Sequence, residues 1–290
     1  MTERTAGGLR TNGLFHKKSN PDHPLVSIIT VVRNGEKYLE QTIKSVIYQT
    51  YDNVEYIIID GGSTDGTLDI IRKYDDKIAY WVSEPDDGLY DAMNKGSNIA
   101  SGDYALYLNA GDYFYQNDTV QQSMHHGLDR DKYPLLICGK AIVAINNELI
   151  DDWILPVSER WINKYDPHHQ ATFIGSHIYK KVPYRFLFAG GDYEFWLRVR
   201  KLGLFQVKHT DTIVSVFRMG GISTNTKLAF PLCFLRETLQ YQYTKKFNTS
   251  RLLKNLIFVI MKICFISIFG ERLYYRYVLY SVYLLRKKFL

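Results

Sequence analysis

The sequence predicts an α/β fold built on a sheet of parallel strands, and three features of the chain support this. Short runs of β-branched and aromatic residues alternate with segments whose apolar residues recur at helical spacing. Strands and helices that alternate at this length are typical of βαβ units, which form parallel sheets. A cluster of polar residues and glycines follows each of the first four predicted strands, where parallel sheets bind their ligands.

The predicted elements form a regular first part and a less regular second part. In the first part, the patterns predict strands at 26–32, 54–59, 78–82 and 104–108, separated by helices at 36–48, 67–74 and 89–100. From about residue 118 the alternation is lost. The second part is predicted to hold a hairpin over 135–154 around Asn146-Asn147, a strand at 171–174, a helix at 192–202 and a strand at 213–217.

The composition indicates a globular protein. A chain of 290 residues forms one large domain or two small ones, and 46% hydrophobic with 23% charged residues excludes a disordered, collagen-like or disulfide-scaffold chain. Its three cysteines (Cys138, Cys233 and Cys264) have neither disulfide nor zinc spacing, as is typical of a protein from the reducing cytosol. Residues 1–24 are polar and lack the apolar run of a signal peptide, so we expect a flexible lead-in.

The end of the chain differs from the rest in charge. From Arg251 onwards there are eight Lys and Arg residues and one acid, a surplus of seven positive charges, which leaves −1 for residues 1–250. Two apolar segments at 252–269 and 273–285 are too short or too charged to span a bilayer. We therefore expect amphipathic helices that lie on an anionic membrane surface, with a helical pair packed on the body as the alternative. Nucleic-acid binding by this tail is disfavoured, because its long apolar runs suit lipid better.

The octet Asp60-Gly-Gly-Ser-Thr-Asp-Gly-Thr67 is the most specific motif of the chain. It directly follows a buried strand and opens a helix, whose N-terminus favours anionic groups. The glycines allow a ligand to approach the backbone closely, and Asp60 can accept hydrogen bonds from a ribose or a base. The octet is neither a G-x-G-x-x-G dinucleotide fingerprint nor a Walker loop, since no Gly-Lys-Ser/Thr follows.

Three runs of the chain resemble one protein family. VSIITVVRN, VEYIIIDGGSTDGT and EPDDGLYDAMNKGSNIASGDYALYLNAGD are similar to segments of the family 2 glycosyltransferases of the GT-A fold. The resemblance is strong over residues 25–120 and looser as far as 221. It implies a GT-A-type Rossmann-like mixed sheet flanked by helices, to which this chain adds a C-terminal amphipathic helical tail. It also implies inverting sugar transfer from a nucleotide-diphosphate donor, with Mg²⁺ or Mn²⁺ at the diphosphate.

This resemblance divides the chain into three parts. Residues 1–24 would be the flexible N-terminal segment, and 25–225 the GT-A glycosyltransferase domain. Within that domain, 25–117 would bind the nucleotide-sugar and 118–225 would form the acceptor side. Residues 226–290 would be the basic, aromatic helical tail, associated with the membrane.

The resemblance also assigns the donor side of the site. The acidic motif that follows the fourth strand in the family corresponds to Asn109-Ala-Gly-Asp112 here, so only Asp112 keeps its carboxylate as a metal ligand. One carboxylate is chemically sufficient, because Mg²⁺ retains waters and takes further oxygens from substrate phosphates. The residues assigned to nucleotide-sugar binding are Val31, Arg33, Asp60, Gly61, Asp91, Asn94, Lys95, Asn109 and Gly111.

On the acceptor side, the resemblance makes Asp192 the catalytic base. In the family an acidic pair opens this helix, and here the preceding acid is replaced by Gly191. A base in this position accepts the proton of the acceptor hydroxyl and typically accelerates such a step by about 10²–10⁴-fold. Weaker assignments to the acceptor or to the diphosphate are His169, Gln170, Trp196 and Arg218.

The expected function is therefore that of an inverting glycosyltransferase. Its acceptor would be a lipid-linked saccharide in the assembly of a surface polysaccharide, and the enzyme would be peripheral on the cytoplasmic side of the membrane. Two alternatives remain. The sugar is transferred directly to a polyprenyl phosphate, or the protein is a non-catalytic, membrane-bound nucleotide-sugar binder, as the depleted acidic motifs would allow.

Overall fold

The structure is a computed structural model that describes residues 4–128, 134–145, 148–155, 166–185, 190–219, 226–245, 247–269 and 274. The strands of this part of the chain are β1 (Thr5–Gly7), β2 (Val26–Val32), β3 (Val54–Asp60), β4 (Tyr80–Ser83), β5 (Tyr104–Tyr107), β6 (Tyr113–Phe114), β7 (Leu136–Ile145), β8 (Glu148–Leu155), β9 (Thr172–Gly175) and β10 (Val207–Arg218). Its helices are α1 (Leu39–Ile47), α2 (Thr67–Lys73), α3 (Leu89–Ile99), α4 (Thr119–Gly127), α5 (Ser176–Tyr179), α6 (Gly191–Lys201), α7 (Thr226–Thr244) and α8 (Thr249–Phe269).

The strands form one mixed sheet in the order β1-β4-β3-β2-β5-β9-β7-β10-β6, and β8 pairs with β7 beside this path. Strands β4, β3, β2 and β5 are parallel to one another. Strand β9 runs antiparallel to both β5 and β7, and thereby joins the parallel group to the second part of the chain. The prediction of a mixed α/β sheet is confirmed.

Both faces of the central strands are buried. Ile28 and Ile58 belong to one core, while their chain neighbours Ile29 and Ile57 belong to the core on the opposite face. Successive side chains of a strand point to opposite faces, so a continuous apolar run such as VSIITVV requires cover on both sides. Helices supply that cover, for example Ile43 of α1 on the first face and Met93 on α3 on the second.

The N-terminal segment differs from the expected flexible lead-in. Strand β1 extends the sheet by pairing antiparallel with β4. Beyond it, the amide of Gly8 donates to Asp75 Oδ1 at 2.7 Å, and Arg10 forms an ion pair with the buried carboxylate of Glu55. These contacts reach 67 and 45 residues along the chain, which explains why no local pattern indicated them.

The first tail helix was predicted at 252–269 and is observed as α8. The second predicted tail segment, at 273–285, falls outside the described residues apart from Tyr274. The predicted turn at Asn146-Asn147 also falls outside them. Helix α7 lies within residues 226–290, which were expected to form a helical tail. It contains Pro231 and packs on α6. Tyr243 of α7 donates a hydrogen bond to the buried Glu194 of α6. In the described part of the chain, no helix has both the length and the apolar character required to cross a membrane.

Candidate active site

The loops that follow β2, β3, β4 and β5 meet at one edge of the sheet. The register brings Val32 beside Asp60 and Asp60 beside Ser83, so these three strands end at the same level. Because the carboxyl ends of parallel strands form the ligand-binding edge of such sheets, these loops are the natural walls of a site. Val31 is buried in β2, and Arg33 is exposed at the start of the first loop.

Asp60 is fully buried and holds the loop that follows it. Its carboxylate accepts hydrogen bonds from the Ser63 amide at 3.1 Å and from the Ser83 hydroxyl at 2.6 Å. The next residue, Gly61, has no room for a side chain, since a Cβ there would lie 2.2 Å from Asp86 Oδ2. The carboxylate of Asp60 therefore shapes the loop. This corrects the expectation that it is free to accept hydrogen bonds from a ribose or a base.

Two residues of the first loop to which the sequence assigned no role, Asn34 and Glu36, bind it to the second loop. Asn34 Oδ1 accepts from the Thr64 amide at 2.8 Å, and Glu36 Oε2 accepts from the Gly66 amide at 2.8 Å. Asn34 has a positive φ of 52°, which asparagine tolerates better than most residues. The cluster RNGE after the first strand was the available sequence signal, but only the fold reveals its partners.

Helix α3 carries three of the predicted donor-binding residues, and the structure separates their roles. Lys95 lies 3.2 Å from Asp91 and 3.0 Å from Glu84, so these charges form a partly exposed cluster. Asn94, in contrast, uses its amide group on the backbone of Tyr184, with both hydrogen bonds at 2.7 Å. Asn94 therefore connects α3 to the second part of the chain, which corrects its assignment to the nucleotide.

Asp112 lies in the loop after β5 and is only 6% exposed. It accepts a hydrogen bond from the Arg218 amide at 3.0 Å and another from the side chain of Gln170. Burial raises the pKa of Asp112 to about 7, although these hydrogen bonds and the charge of Arg218 act in the opposite direction. Gly111 precedes it with a φ of 108°, a conformation that favours glycine.

Arg218 supports this loop from the end of β10. Its Nε donates to the Gly111 carbonyl at 3.0 Å, its Nη2 donates to Gln41 at 2.7 Å, and the guanidinium lies 4.2 Å from the ring centre of Tyr38. The buried Nη1 has no hydrogen-bond partner within the described ranges of the chain. Residues 220–225, which follow, lie outside the described residues.

Helix α6 brings Asp192 to the same region. Its carboxylate is 44% exposed and lies 3.8 Å from His169 Nδ1, while Nε2 of that imidazole lies 3.4 Å from Asn109 Nδ2. Asn109 Oδ1 is buried and has no hydrogen-bond partner in the part of the chain that the structure describes. The structure thus brings together three predicted residues from three different segments, at 109, 169 and 192.

Trp196, on the same helix as Asp192, is a core residue. It is 1% exposed and its ring packs against Phe195 and Phe205 at centroid distances of 4.9 and 6.1 Å. A ring that is fully covered by other aromatic residues cannot stack on a sugar. This corrects the assignment of Trp196 to the acceptor side.

The donor atoms of the site are hard oxygens, as Mg²⁺ and Mn²⁺ prefer. Among the described residues no group of three His, Cys, Asp or Glu side chains is placed to hold a metal ion. The buried, unpartnered Oδ1 of Asn109 and the carboxylate of Asp112 nevertheless lie in one short loop. The Asn109 oxygen is a free ligand of the kind such an ion uses, whereas the Asp112 carboxylate already accepts two hydrogen bonds. A divalent ion held here would take its remaining ligands from diphosphate oxygens and water.

Comparison with known proteins establishes the family. Glycosyl transferase family 2 matches the chain over residues 27–132. An uncharacterized glycosyltransferase of Mycobacterium tuberculosis is 34% identical over 191 residues, which is 60% of this chain and 68% of the relative. The chain belongs to glycosyl transferase family 2. A PGL/p-HBAD biosynthesis glycosyltransferase of Mycobacterium bovis is 37% identical to this family 2 chain over 100 residues, 33% of the chain and 39% of the relative.

Solved structures confirm the GT-A fold of this family 2 glycosyltransferase. S. aureus TarS 1-349 in complex with UDP-GlcNAc has a TM-score of 0.57 at 15% identity and covers 81% of this chain and 71% of that one. The mannosyltransferase PcManGT from Pyrobaculum calidifontis in complex with GDP-Man and Mn²⁺ has a TM-score of 0.58 at 15% identity, covering 84% and 71%. At these identities the likeness concerns the fold.

Proposed function

We propose that this family 2 glycosyltransferase transfers a sugar from a nucleotide-diphosphate donor to an acceptor hydroxyl, with inversion at the anomeric carbon. The observation that carries the proposal is the position of Asp192. Its carboxylate is partly exposed, has no hydrogen bond to another described side chain, and lies beside His169 at the edge of the sheet where the donor loops end. An unengaged carboxylate at such a position is suited to accept a proton.

In the proposed reaction, Asp192 accepts the proton of the acceptor hydroxyl as that oxygen attacks the anomeric carbon. The bond between this carbon and the diphosphate oxygen breaks in the same step, and the electron pair leaves with the nucleoside diphosphate. His169 lies between Asp192 and Asn109 and is placed to orient both. Burial lowers the pKa of His169, so its neutral form is favoured, and a neutral imidazole does not neutralise the base.

The donor is proposed to lie over the loops that follow β2, β3 and β5. Arg33 offers an exposed guanidinium, and Gly62 offers partly exposed backbone without a side chain, whereas Gly61 is buried against Asp86. Asn109 and Asp112 would hold a divalent cation, which when bound neutralises the charge of the leaving diphosphate. The buried Arg218 fixes the backbone of Gly111 and so supports that loop.

The acceptor is proposed to be linked to a lipid, and this rests on helix α8. Its residues Leu253, Ile257, Ile260, Met261 and Ile268 are between 50% and 71% exposed. Residues at this spacing share one face of a helix. Residues 251–290, which include most of α8, carry seven surplus positive charges. An exposed apolar face in such a basic segment suits an anionic membrane surface, where each Lys or Arg contributes about 1 kcal/mol to binding.

This placement would make the enzyme peripheral on the cytoplasmic side of the membrane, with residues 226–290 as the attachment and 25–225 as the glycosyltransferase domain. A lipid-linked saccharide in surface polysaccharide assembly is the acceptor we propose. The name of the mycobacterial relative, which refers to PGL/p-HBAD biosynthesis, is compatible with a glycoconjugate product. Transfer to a polyprenyl phosphate would instead give a glycosylated lipid phosphate, and a non-catalytic binder would give no product.

The experiment is a donor screen on the purified full-length protein. Thermal shift is measured with UDP-, GDP-, dTDP- and CMP-sugars, with and without Mn²⁺, and release of the nucleotide is measured with and without a lipid-linked acceptor. We expect one diphosphate sugar to stabilise the protein in a metal-dependent way and to be consumed when acceptor is present. Stabilisation without turnover for any acceptor would favour the binder, and no stabilisation by any donor would overturn the proposal.

A further inference from the structure

The first residue of helix α6 contacts a tyrosine from the opposite side of the site. The hydroxyl oxygen of Tyr90, in the first turn of α3, accepts a hydrogen bond from the Gly191 amide at 2.8 Å. The first four amides of a helix have no partner within the helix, so a buried one requires an acceptor from elsewhere. Asp192, which we propose as the base, is the next residue along the chain.

The ring of Tyr90 occupies the space that a side chain at position 191 would need. A Cβ at Gly191 would lie 2.7 Å from two ring carbons of Tyr90, closer than real Cβ contacts allow. The family resemblance expects an acidic residue at position 191. In this chain the aromatic ring fills that space, and the phenol oxygen reaches the backbone of the helix.

The ring of Tyr90 is itself held in place. It is 7% exposed and stacks on Tyr184 at a centroid distance of 5.6 Å, and Tyr184 stacks on Phe195 of α6 at 4.5 Å. Asn94 of α3 fixes the backbone of Tyr184 by two hydrogen bonds. A continuous stack thus runs from α3, which borders the donor loops, to the helix that carries Asp192.

We propose that Tyr90 is a positioning residue for Asp192: its hydroxyl fixes the start of α6 and thereby the direction of the carboxylate towards the acceptor. This rests on the proposed function, in which Asp192 is the base. The negative charge of Asp192 raises the pKa of Tyr90 beyond the effect of burial, which indicates that the two groups are close. The phenol therefore stays protonated and neutral, and acts here through its oxygen as an acceptor.

The test compares Tyr90→Phe with Tyr184→Phe in the full-length protein. Both variants keep the aromatic stack, but the Tyr184 hydroxyl is buried and has no hydrogen-bond partner among the described residues, so its removal is the matched control. We expect Tyr90→Phe to lower kcat by about 10-fold while KM for the donor changes less than twofold, and Tyr184→Phe to leave both unchanged. Equal kcat values for Tyr90→Phe and the native enzyme would overturn the proposal.

Two further variants separate a positioning role from a merely structural one. If Tyr90 acts through Asp192, the double variant Tyr90→Phe/Asp192→Asn is no slower than Asp192→Asn alone; a further loss would overturn the proposal. Gly191→Ala adds a methyl group that displaces the Tyr90 ring, so we expect it to lower kcat as Tyr90→Phe does. This second variant tests the proposal if Tyr90→Phe folds poorly. Full activity of Asp192→Asn would instead refute the proposed function.

Discussion

His169 lies between the two ends of the candidate active site: its Nδ1 is 3.8 Å from Asp192 Oδ2, and its Nε2 is 3.4 Å from Asn109 Nδ2. These residues come from a helix, a 3₁₀ turn and the loop after β5. The 3.8 Å separation is too long for a hydrogen bond, and the 3.4 Å separation is at the upper limit for one. The carboxylate of Asp192 is therefore available to an incoming hydroxyl group.

Asp192→Asn is expected to lower kcat by about 10²–10⁴-fold, because the amide cannot accept the hydroxyl proton. Donor affinity, measured by thermal shift, should change less than twofold, since the donor is proposed to lie on other loops. Asp211→Asn is the control, as Asp211 is exposed and pairs with Lys140. An Asp192→Asn enzyme as fast as Asp211→Asn would exclude Asp192 as the base.

Asn109→Asp is expected to strengthen the response to metal. The substitution adds a carboxylate where the native side chain offers one unpartnered amide oxygen, and hard divalent ions prefer carboxylates. The Mn²⁺ concentration at half of the maximal thermal shift, measured with donor present, should fall by about 10-fold. Asn117→Asp, at an exposed position, is the control. An unaltered Mn²⁺ response would place the ion away from Asn109.

His168 is expected to make the folded state less stable in acid. Its Nε2 is buried and meets no hydrogen-bond partner among the residues described, and burial lowers the pKa of His168 to about 4 from an ordinary 6.5. The unfolded chain thus binds the proton first, so stability is lost as the pH falls from 6.5 towards 4. Between pH 7.5 and 5.5 this costs about 1 kcal/mol, which His168→Gln should abolish.

The measurement for His168 is urea unfolding of both proteins at the two pH values. The change with pH must be compared between native protein and variant, because the raised pKa of Asp112 acts in the opposite direction over part of this range. The same pH dependence in His168→Gln would show that another group is responsible.

Arg10→Ala is expected to lower the free energy of unfolding by about 3 kcal/mol. It leaves the fully buried carboxylate of Glu55 without its counter-charge, although hydrogen bonds from Ser27 and Ser101 remain. Arg72→Ala removes an exposed pair with Asp69 and should cost less than about 1 kcal/mol. Similar urea midpoints for the two variants would mean that the ion pair between Arg10 and Glu55 contributes little to the free energy of unfolding.

Ile257→Asp/Ile260→Asp is expected to abolish binding to anionic vesicles, because it places charges on the exposed apolar face of α8. Truncation after Ser250 should have the same effect in co-sedimentation. Leu202→Asp, at an exposed apolar position on the body, is the control and should still bind. Sedimentation of the truncated protein with vesicles would show that the tail is not the attachment.

The sequence by itself determined the order of strands and helices in the first part of the chain. Runs such as 26–32 and 54–60 are so rich in β-branched residues that they form buried strands wherever they pack, and the glycines and aspartates after them fit only loops. The helix that begins beside Asp192 was also predicted from the local pattern, whereas the role of Asp192 as the base follows from the family resemblance and stays a prediction. These features depend on neighbours within a few residues.

The tertiary structure decided which side chains are free to act. The sequence assigned ligand-binding roles to Asp60, Asn94 and Trp196. In the structure, Asp60 and Asn94 form hydrogen bonds within the protein, and the ring of Trp196 packs against Phe205. These partners lie up to 90 residues away along the chain. The sequence assigned no role to Tyr90, and only the fold places it against Gly191. The physical reason is that burial and hydrogen-bond pairing are set by contacts between distant segments, which a local pattern does not encode.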